Sequence, residues 1–229
     1  MSRQQWLQRM VYLSLAALLL AGCGGTPVAP TSTLPPPAPT ATLTPIPSTP
    51  TPVPPTPTQA PKLASKQALF VIVESFEESE YGIPRTLLED KGVRVTVAST
   101  TLSAVKGFRG KTVNPDLLLS QVHAADYDVI VFVGAFLYDE NDPETHRIAQ
   151  EAVAQNKVLA AICIAPMTLA KAGVLKGKRA TTSADASRLA HEGAIYTLKT
   201  VERDGLIITA NGPAASQEFG EAILAALEE

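Results

Sequence analysis

Cys163 is the residue of this chain whose type and position most directly indicate chemistry. It follows the apolar run Val158–Ile162 and shortly precedes Pro166, so it lies where a short strand turns into a helix. A thiol at such a corner stands apart from its neighbours, and the unpaired N–H groups of the following helix favour its thiolate. The other cysteine, Cys23, is expected to carry a lipid, as argued below, so no disulfide is expected. The alternative is a buried structural cysteine, because free cysteine is often fully buried.

The elements that would position this cysteine alternate between strands and helices. Continuous apolar runs predict strands buried on both faces, and alternation of valine with polar residues predicts another. The predicted strands are Ala68–Val73, Val93–Ala98, Asp128–Val133 and Val158–Ile162, with a hairpin turn at Arg203-Asp204-Gly205 between Leu198–Val201 and Leu206–Thr209. The predicted helices are Ser79–Lys91, one capped by Asp142 that runs to Asn156, Pro166–Ala172 and Ala214–Leu227. This order predicts an α/β fold, a flavodoxin-like three-layer sandwich with a mostly parallel sheet and helices on both faces.

Three informative segments follow predicted strands and are expected at one edge of that sheet. They are Glu74–Glu80, Gly134-Ala135 and Cys163. Ligands of such sheets bind outside the carboxyl ends of the strands. The sequence therefore predicts one site at this rim.

The first 62 residues are predicted to export and tether this domain. Two arginines precede the apolar stretch Met10–Ala21, which is shorter than the roughly 20 residues of a membrane-spanning helix. It leads into Leu20-Ala21-Gly22-Cys23, which resembles the lipobox of bacterial lipoproteins. We therefore interpret residues 1–22 as a signal peptide and Cys23 as the lipidated residue. The alternative is an ordinary secretory signal with an incidental cysteine.

The segment that follows is interpreted as a spacer. Residues 26–62 hold 14 of the 19 prolines and ten threonines, and proline prevents helix and sheet from propagating. Residues 23–62 thus form a predicted tether, and residues 63–229 suit one domain with a sizeable core. The expected location is the extracytoplasmic face of the cell membrane, held by the lipid anchor.

Charge and composition exclude several classes of partner. A net charge of −3 and a pI near 5.7 argue against nucleic acid. The sequence has no zinc-ligand spacing and no phosphate-binding glycine motif, so we predict neither metal nor cofactor. The acidic stretch 139–144 is interpreted as a solvated loop and helix cap. His123 and His146 are interpreted as surface residues, whereas His191 remains a possible site residue because its segment follows the strand facing Cys163.

Four segments resemble the ThiJ/PfpI (DJ-one/PfpI) superfamily, whose fold is related to the glutaminase domains of class I amidotransferases. They occur in the order and spacing of that family, from Lys66 to the C-terminus: Ala68–Glu80, Ala160–Leu169, Leu175–Thr182 and Asp204–Phe219. The resemblance implies that Cys163 is the reactive cysteine and that Glu80 is a protonated partner hydrogen-bonded to its sulfur. It also implies N–H donors for an oxyanion at Gly134, Ala135 and Ile164, and a homodimer.

The chain departs from this family at both positions where members carry a histidine. Protease-like members have one directly after the cysteine, where this chain has Ile164. Other members have one after a Thr-Thr pair, where this chain has Ser183, a possible site residue. Neither position supplies a base for acyl transfer. In addition, Ala135 replaces the second glycine of the family's Gly-Gly pair.

Three functions remain open from the sequence. The first, implied by resemblance to glyoxalase-like and deglycase-like members, is attack of Cys163 on a small reactive carbonyl or its protein adduct, with Glu80 as proton donor and acceptor. The second is a non-catalytic redox-sensing or chaperone-like stress module in which Cys163 is oxidised. The third, a peptidase or amidase, is disfavoured by Ile164. The first two predict a thiol pKa well below the ordinary value of about 8.5.

Overall fold

The computed structural model describes residues 63–229, the segment that the sequence assigns to one domain. Its strands are β1 Gln67–Val71, β2 Arg94–Ser99, β3 Val105–Lys106, β4 Thr112–Val113, β5 Leu117–Leu118, β6 Val129–Phe132, β7 Val158–Ile162, β8 Arg179–Ala180, β9 Ile195–Tyr196, β10 Val201–Asp204 and β11 Ile207–Ala210. Its α-helices are α1 Glu78–Asp90, α2 Pro143–Ala154, α3 Pro166–Lys171, α4 Ala186–His191 and α5 Ser216–Glu228. Single turns of 3₁₀-helix lie at Leu119–Gln121, Ala124–Asp126 and Pro213–Ala215. The predicted signal peptide, Cys23 and the tether lie outside the described residues.

A seven-stranded sheet organises the domain, in the order β10-β11-β7-β6-β1-β2-β5. Every neighbouring pair is parallel except β10 and β11. In register, Phe70 of β1 lies between Val97 of β2 and Val131 of β6. The chain passes from β1 to β2 on one side and returns to β6 on the other, so the strand order reverses between β1 and β6. That reversal leaves a crevice at the carboxyl ends of these strands, beside β7.

Helices cover both faces of the sheet, each over its own apolar core. Along β1, Leu69 packs into the core beneath α2 and α3, whereas Phe70 packs into the core beneath α1 and α5. This alternation follows from the two-residue period of a strand, which points successive side chains to opposite faces. The predicted three-layer α/β sandwich is thereby confirmed.

The predicted hairpin near the C-terminus is displaced from its observed position. Arg203 and Asp204 lie inside β10, and Asp204 pairs with Ile207. The turn consists of Gly205 and Leu206, and Gly205 has a φ of 64°, a value that favours glycine. The prediction that Leu198–Val201 is the first strand was therefore wrong. The turn needs only one residue of left-handed conformation, Gly205, so Arg203 and Asp204 remain paired in the strand.

No helix among residues 63–229 is long and apolar enough to span a bilayer.

Candidate active site

Cys163 lies at a strained corner directly after β7. Its φ is 66°, a left-handed conformation that is uncommon for a residue with a Cβ. Its N–H donates to the carbonyl of Ala210 at 2.9 Å, and its carbonyl accepts from the amide of Ser183 and the hydroxyl of Thr182, both at 2.8 Å. Three backbone or hydroxyl contacts thus hold the corner. The strained corner turns the side chain out of the sheet, where it is half-buried.

Two donors and one carboxyl group surround the sulfur. The hydroxyl of Ser183 donates to Sγ at 3.3 Å, and the amide of Ile164 donates to the same atom. The next amides of the corner are already bonded, because Ala165 donates to the carbonyl of Ile162 and Met167 to that of Ile164. The sequence predicted a row of free N–H groups from the following helix. The structure corrects this to the single amide of Ile164, because α3 is short and opens with tight turns.

Glu80, the third residue of α1, brings a fully buried carboxyl group to the sulfur. Its Oε2 accepts from the amide of Gly134 at 3.1 Å. Its Oε1 is buried without a nitrogen or oxygen partner among residues 63–229, and the carboxyl group shares a hydrogen bond with the Cys163 thiol. Burial, with a smaller contribution from the charge of Glu77, raises the pKa of Glu80 to about 7. Glu80 therefore exchanges a proton near neutral pH.

Gly134 allows the cysteine and the glutamate to meet. A Cβ at this position would lie 2.4 Å from Glu80 Oε2 and 2.5 Å from the Cβ of Cys163, far inside contact distance. Its N–H is engaged by Glu80, and its carbonyl accepts from the amide of Glu77 at 2.9 Å. The predicted role of Gly134 as a free oxyanion donor is therefore corrected. Its amide orients the carboxyl group instead.

Ala135 takes the place of the second glycine of the Gly-Gly pair without backbone strain. Its φ is not among the positive values of the described residues, so the backbone there does not require glycine. Ala135 pairs with Phe76 in an isolated bridge. Its own N–H has no acceptor within the described part of the chain. Of the two residues at the family's Gly-Gly position, Ala135 therefore carries the available donor.

The pKa of the Cys163 thiol shifts in the direction opposite to the sequence prediction. Burial, followed by the charge of Glu80, raises it to about 11. The hydrogen bonds from Ser183 and Ile164 act in the opposite direction but do not compensate. The prediction assumed several helix N–H groups and a permanently neutral glutamate. With one amide and a carboxyl group that titrates near pH 7, the buried pair carries one negative charge above that pH and shares the remaining proton.

The three histidines of the chain lie away from the sulfur. His191 is the exposed last residue of α4 and lines a groove of about 410 Å³ with Met167 and Lys171. His146 bonds the carbonyl of Glu140 through Nε2 at 2.7 Å, and His123 precedes a 3₁₀ turn. Within residues 63–229, the structure brings none of them into a hydrogen bond with Cys163. Ser183 is the possible site residue that it does bring there.

The acidic stretch 139–144 has ordinary local roles. Asp142 caps α2 by accepting from the amides of Glu144 and Thr145, both at 2.9 Å. Asp139 accepts from the amide of Asn141 at 2.9 Å. In the described part of the chain, no group of carboxylates, histidines and cysteines is placed to hold a metal ion.

Sequence reasoning missed the two aromatic side chains beside this site. Phe136 follows Gly134-Ala135 directly, and Phe108 lies between β3 and β4. Their rings stack with centroids 4.2 Å apart. The available signal was the position of Phe136, two residues beyond a glycine already assigned to the rim.

Comparisons with known proteins show the family of this domain. The model of the DJ-1/PfpI family matches residues 66–226. Protein dj-1beta of Drosophila melanogaster is 34% identical over 160 residues, which cover 68% of this chain and 86% of that protein. A deglycase of Pyrococcus abyssi is 32% identical over 123 residues, covering 51% of this chain and 71% of that protein. The crystal structure of a ThiJ/PfpI domain protein from Brachyspira murdochii is similar with a TM-score of 0.68 and 32% identity, covering 70% of this chain and 95% of that one.

The mostly parallel sheet with helices on both faces defines the class of flavodoxin-like α/β proteins, and here a strained cysteine faces a buried glutamate at its rim. Within that class, the chain belongs to the DJ-1/PfpI family, as the resemblance of its four segments predicted.

Proposed function

We propose that this protein is a cysteine-dependent enzyme that acts on small reactive carbonyls or their protein adducts, in the manner of a glyoxalase or deglycase. The observation that carries the proposal is the fully buried carboxyl group of Glu80, with a pKa of about 7, facing the Cys163 thiol. A general base is most effective when its pKa lies near the working pH. Glu80 thus supplies the base that Ile164 and Ser183 do not. The similarity to a named deglycase supports the same activity.

The first step is addition of the thiol to the carbonyl. Sγ of Cys163 forms a bond to the aldehyde carbon while its proton passes to Glu80, so the thiol needs no prior ionisation. The carbonyl oxygen takes up the electron pair, and the free amide of Ala135 is the donor at the rim for that charge. Glu80 then returns the proton to this oxygen, which gives a hemithioacetal and restores the carboxylate.

An internal redox step would complete the reaction of an α-oxoaldehyde. Glu80 removes the proton from the former aldehyde carbon and delivers it to the neighbouring carbonyl carbon. The hydroxyl proton on the first carbon's oxygen passes to the oxygen of the second carbon. The first carbon is oxidised to a thioester and the second is reduced to an alcohol, so no external oxidant is required. Hydrolysis by one water molecule releases a 2-hydroxy acid and restores the thiol.

The direct test is turnover of methylglyoxal by the full-length protein, with lactate as the product measured. Wild type is expected to form lactate, Cys163→Ser to form none, and Glu80→Gln to lose at least about 100-fold in kcat, the scale of general acid–base catalysis. Equal rates for wild type and Cys163→Ser would overturn the proposal.

A second candidate is the redox-sensing module. It is favoured by the half-exposure of Cys163 beside a fully buried Glu80, which gives an oxidant access to the sulfur. Oxidation of Cys163 by hydrogen peroxide in a protein that forms no lactate would support this function instead. The peptidase alternative has no such support, since no histidine of the described chain bonds the sulfur.

We further propose that the enzyme is attached to the extracytoplasmic face of the cell membrane through lipidated Cys23 and held off it by residues 23–62. The register of the apolar stretch and the lipobox-like Leu20–Cys23 supports this location. Replacement of Cys23 by Ser is expected to release the protein from the membrane fraction. Unchanged partition would contradict it. We also propose a homodimer, and a molecular-mass measurement in detergent tests it.

A further inference from the structure

Two stacked aromatic rings form an exposed apolar surface beside the Cys163 rim. Phe108 and Phe136 have an interplanar angle of 21°, yet 56% of Phe108 and 71% of Phe136 remain exposed. The next residue, Leu137, is 73% exposed. We call Phe108, Phe136 and Leu137 the aromatic patch. An exposed apolar surface such as the one formed by the two stacked rings commonly marks a binding surface.

The backbone holds the two rings in place from separate directions. The amide of Phe136 donates to the carbonyl of Ser75 at 3.2 Å, and the amide of Phe108 donates to that of Phe76 at 2.9 Å. The loop that carries Phe108 is also fixed to α1, because Glu78 Oε1 accepts from the amide of Arg109 at 2.5 Å. The position of the patch is therefore set by the segment that leads into Glu80, and its rings are pre-organised.

The patch lies within reach of a substrate bound to the sulfur. A Cβ at Gly134 would be 2.5 Å from the Cβ of Cys163. Two further residues of chain, at 3.8 Å per Cα step, place the Cα of Phe136 at most about 12 Å from that atom. The side chain of Phe136 extends over part of this distance from one end, and a ring-bearing substrate bound to the sulfur extends over part of it from the other. An aromatic substituent on a carbonyl attacked by Cys163 can thus contact the stacked rings.

We propose that the aromatic patch determines substrate specificity, by binding the carbon substituent of the carbonyl substrate and favouring aromatic or large alkyl α-oxoaldehydes over methylglyoxal. This inference rests on the proposed function and names its substrate class. A further ring packs on an existing aromatic pair through its face or edge, and it also removes apolar surface from water.

The test measures recognition separately from turnover, using alkylation of Cys163. Phenacyl bromide and bromoacetone each form a C–S bond with expulsion of bromide, and they differ only in phenyl against methyl. The full-length protein carries Cys23→Ser so that only one thiol reacts. We divide its alkylation rate with phenacyl bromide by its rate with bromoacetone, and compare this ratio with the same ratio for glutathione. For the wild-type patch, the phenacyl-to-acetonyl rate ratio is expected to be roughly tenfold larger than that of glutathione, equivalent to about 1.4 kcal/mol. Phe136→Ser and Phe108→Ser should each remove most of this preference.

The control is Leu198→Ser, since Leu198 is 90% exposed and lies on the segment before β10. It should leave the preference unchanged. The proposal would be overturned if the wild-type protein had the same rate ratio as glutathione. It would also be overturned if both phenylalanine variants kept the preference for phenacyl bromide. Conversion of a dimer to a monomer by these variants with the preference retained would also overturn it and identify the patch as an interface between copies. If the wild-type protein does not turn over methylglyoxal, this result counts against the proposed function alone, because the alkylation ratio does not depend on turnover.

Discussion

Glu80 and Glu202 are both buried glutamates, but their surroundings give them different chemistry. Glu202 on β10 is 1% exposed and is held by two cations, Lys199 Nζ at 3.1 Å and Arg179 Nε at 3.4 Å. Glu80 is fully buried, and within residues 63–229 no cation forms an ion pair with it. Its partners are an amide and a thiol. The buried glutamate that is paired with cations has a structural role, whereas Glu80, which lacks them, exchanges a proton near neutral pH.

The largest expected effect comes from closing the space in which Glu80 and Cys163 meet. Gly134→Ala places a Cβ within 2.5 Å of both side chains, so one of them must move. We expect kcat/KM for the carbonyl substrate to fall by at least about 100-fold, because small displacements of catalytic groups are costly. We also expect a loss of about 1–3 kcal/mol in the free energy of unfolding.

The matched control for this change is Gly82→Ala on α1. Its Cβ would meet only the Nζ of Lys111, at 3.8 Å. Activity should remain near that of wild type, and alanine should stabilise the helix by up to about 1 kcal/mol. A Gly134→Ala enzyme as active as the Gly82→Ala enzyme would remove the geometric basis of the site.

The pH dependence of stability should separate the two glutamates. Because the pKa of Glu80 is raised from 4.5 to about 7, the folded state keeps a proton that the unfolded state has lost. The stability of wild type should therefore fall as pH rises from about 4.5 to 7. Glu80→Gln removes this dependence, so its stability relative to wild type should increase by about 3 kcal/mol between pH 4.5 and 8.

Glu202→Gln should lose stability relative to wild type at pH 8, where Glu80→Gln gains it. It removes the carboxylate that faces Lys199 and Arg179, and we expect a loss of about 1 kcal/mol at pH 8, since both cations are largely exposed. Urea denaturation of both variants at the two pH values measures this comparison. Parallel pH curves for wild type and Glu80→Gln would show that the buried carboxyl group does not titrate near neutrality.

The fold and the approximate location of the site were predictable from the sequence, whereas the electrostatics were not. Apolar runs and helix caps gave the alternation of strands and helices along the chain, and Cys163, Glu80 and Gly134 follow strand ends that meet at one rim. The direction of the thiol pKa depends on facts that no local pattern contains. Only the packed structure shows that a single amide, that of Ile164 in the turn before α3, donates to the sulfur, and that Gly134 gives its amide to Glu80.

The smallest effect is expected at Ser183, the residue that stands where other family members have histidine. Its hydroxyl donates to Sγ at 3.3 Å from an exposed position. Loss of one such hydrogen bond in Ser183→Ala should lower kcat by no more than about fivefold, corresponding to roughly 1 kcal/mol. Ser103→Ala, at an exposed loop position, is the control. A loss as large as that of Glu80→Gln would instead make Ser183 a principal proton carrier.

The pH dependence of Cys163 alkylation tests the central claim most directly, namely that Glu80 is the base for this thiol. Iodoacetamide rates are measured from pH 5 to 10 in a Cys23→Ser background, for wild type, Glu80→Gln and Glu202→Gln. We predict an inflection near pH 7 in wild type and Glu202→Gln, the pKa of Glu80. In Glu80→Gln the rate should rise only above the ordinary thiol pKa of about 8.5. A Glu80→Gln profile identical to that of wild type would contradict the account.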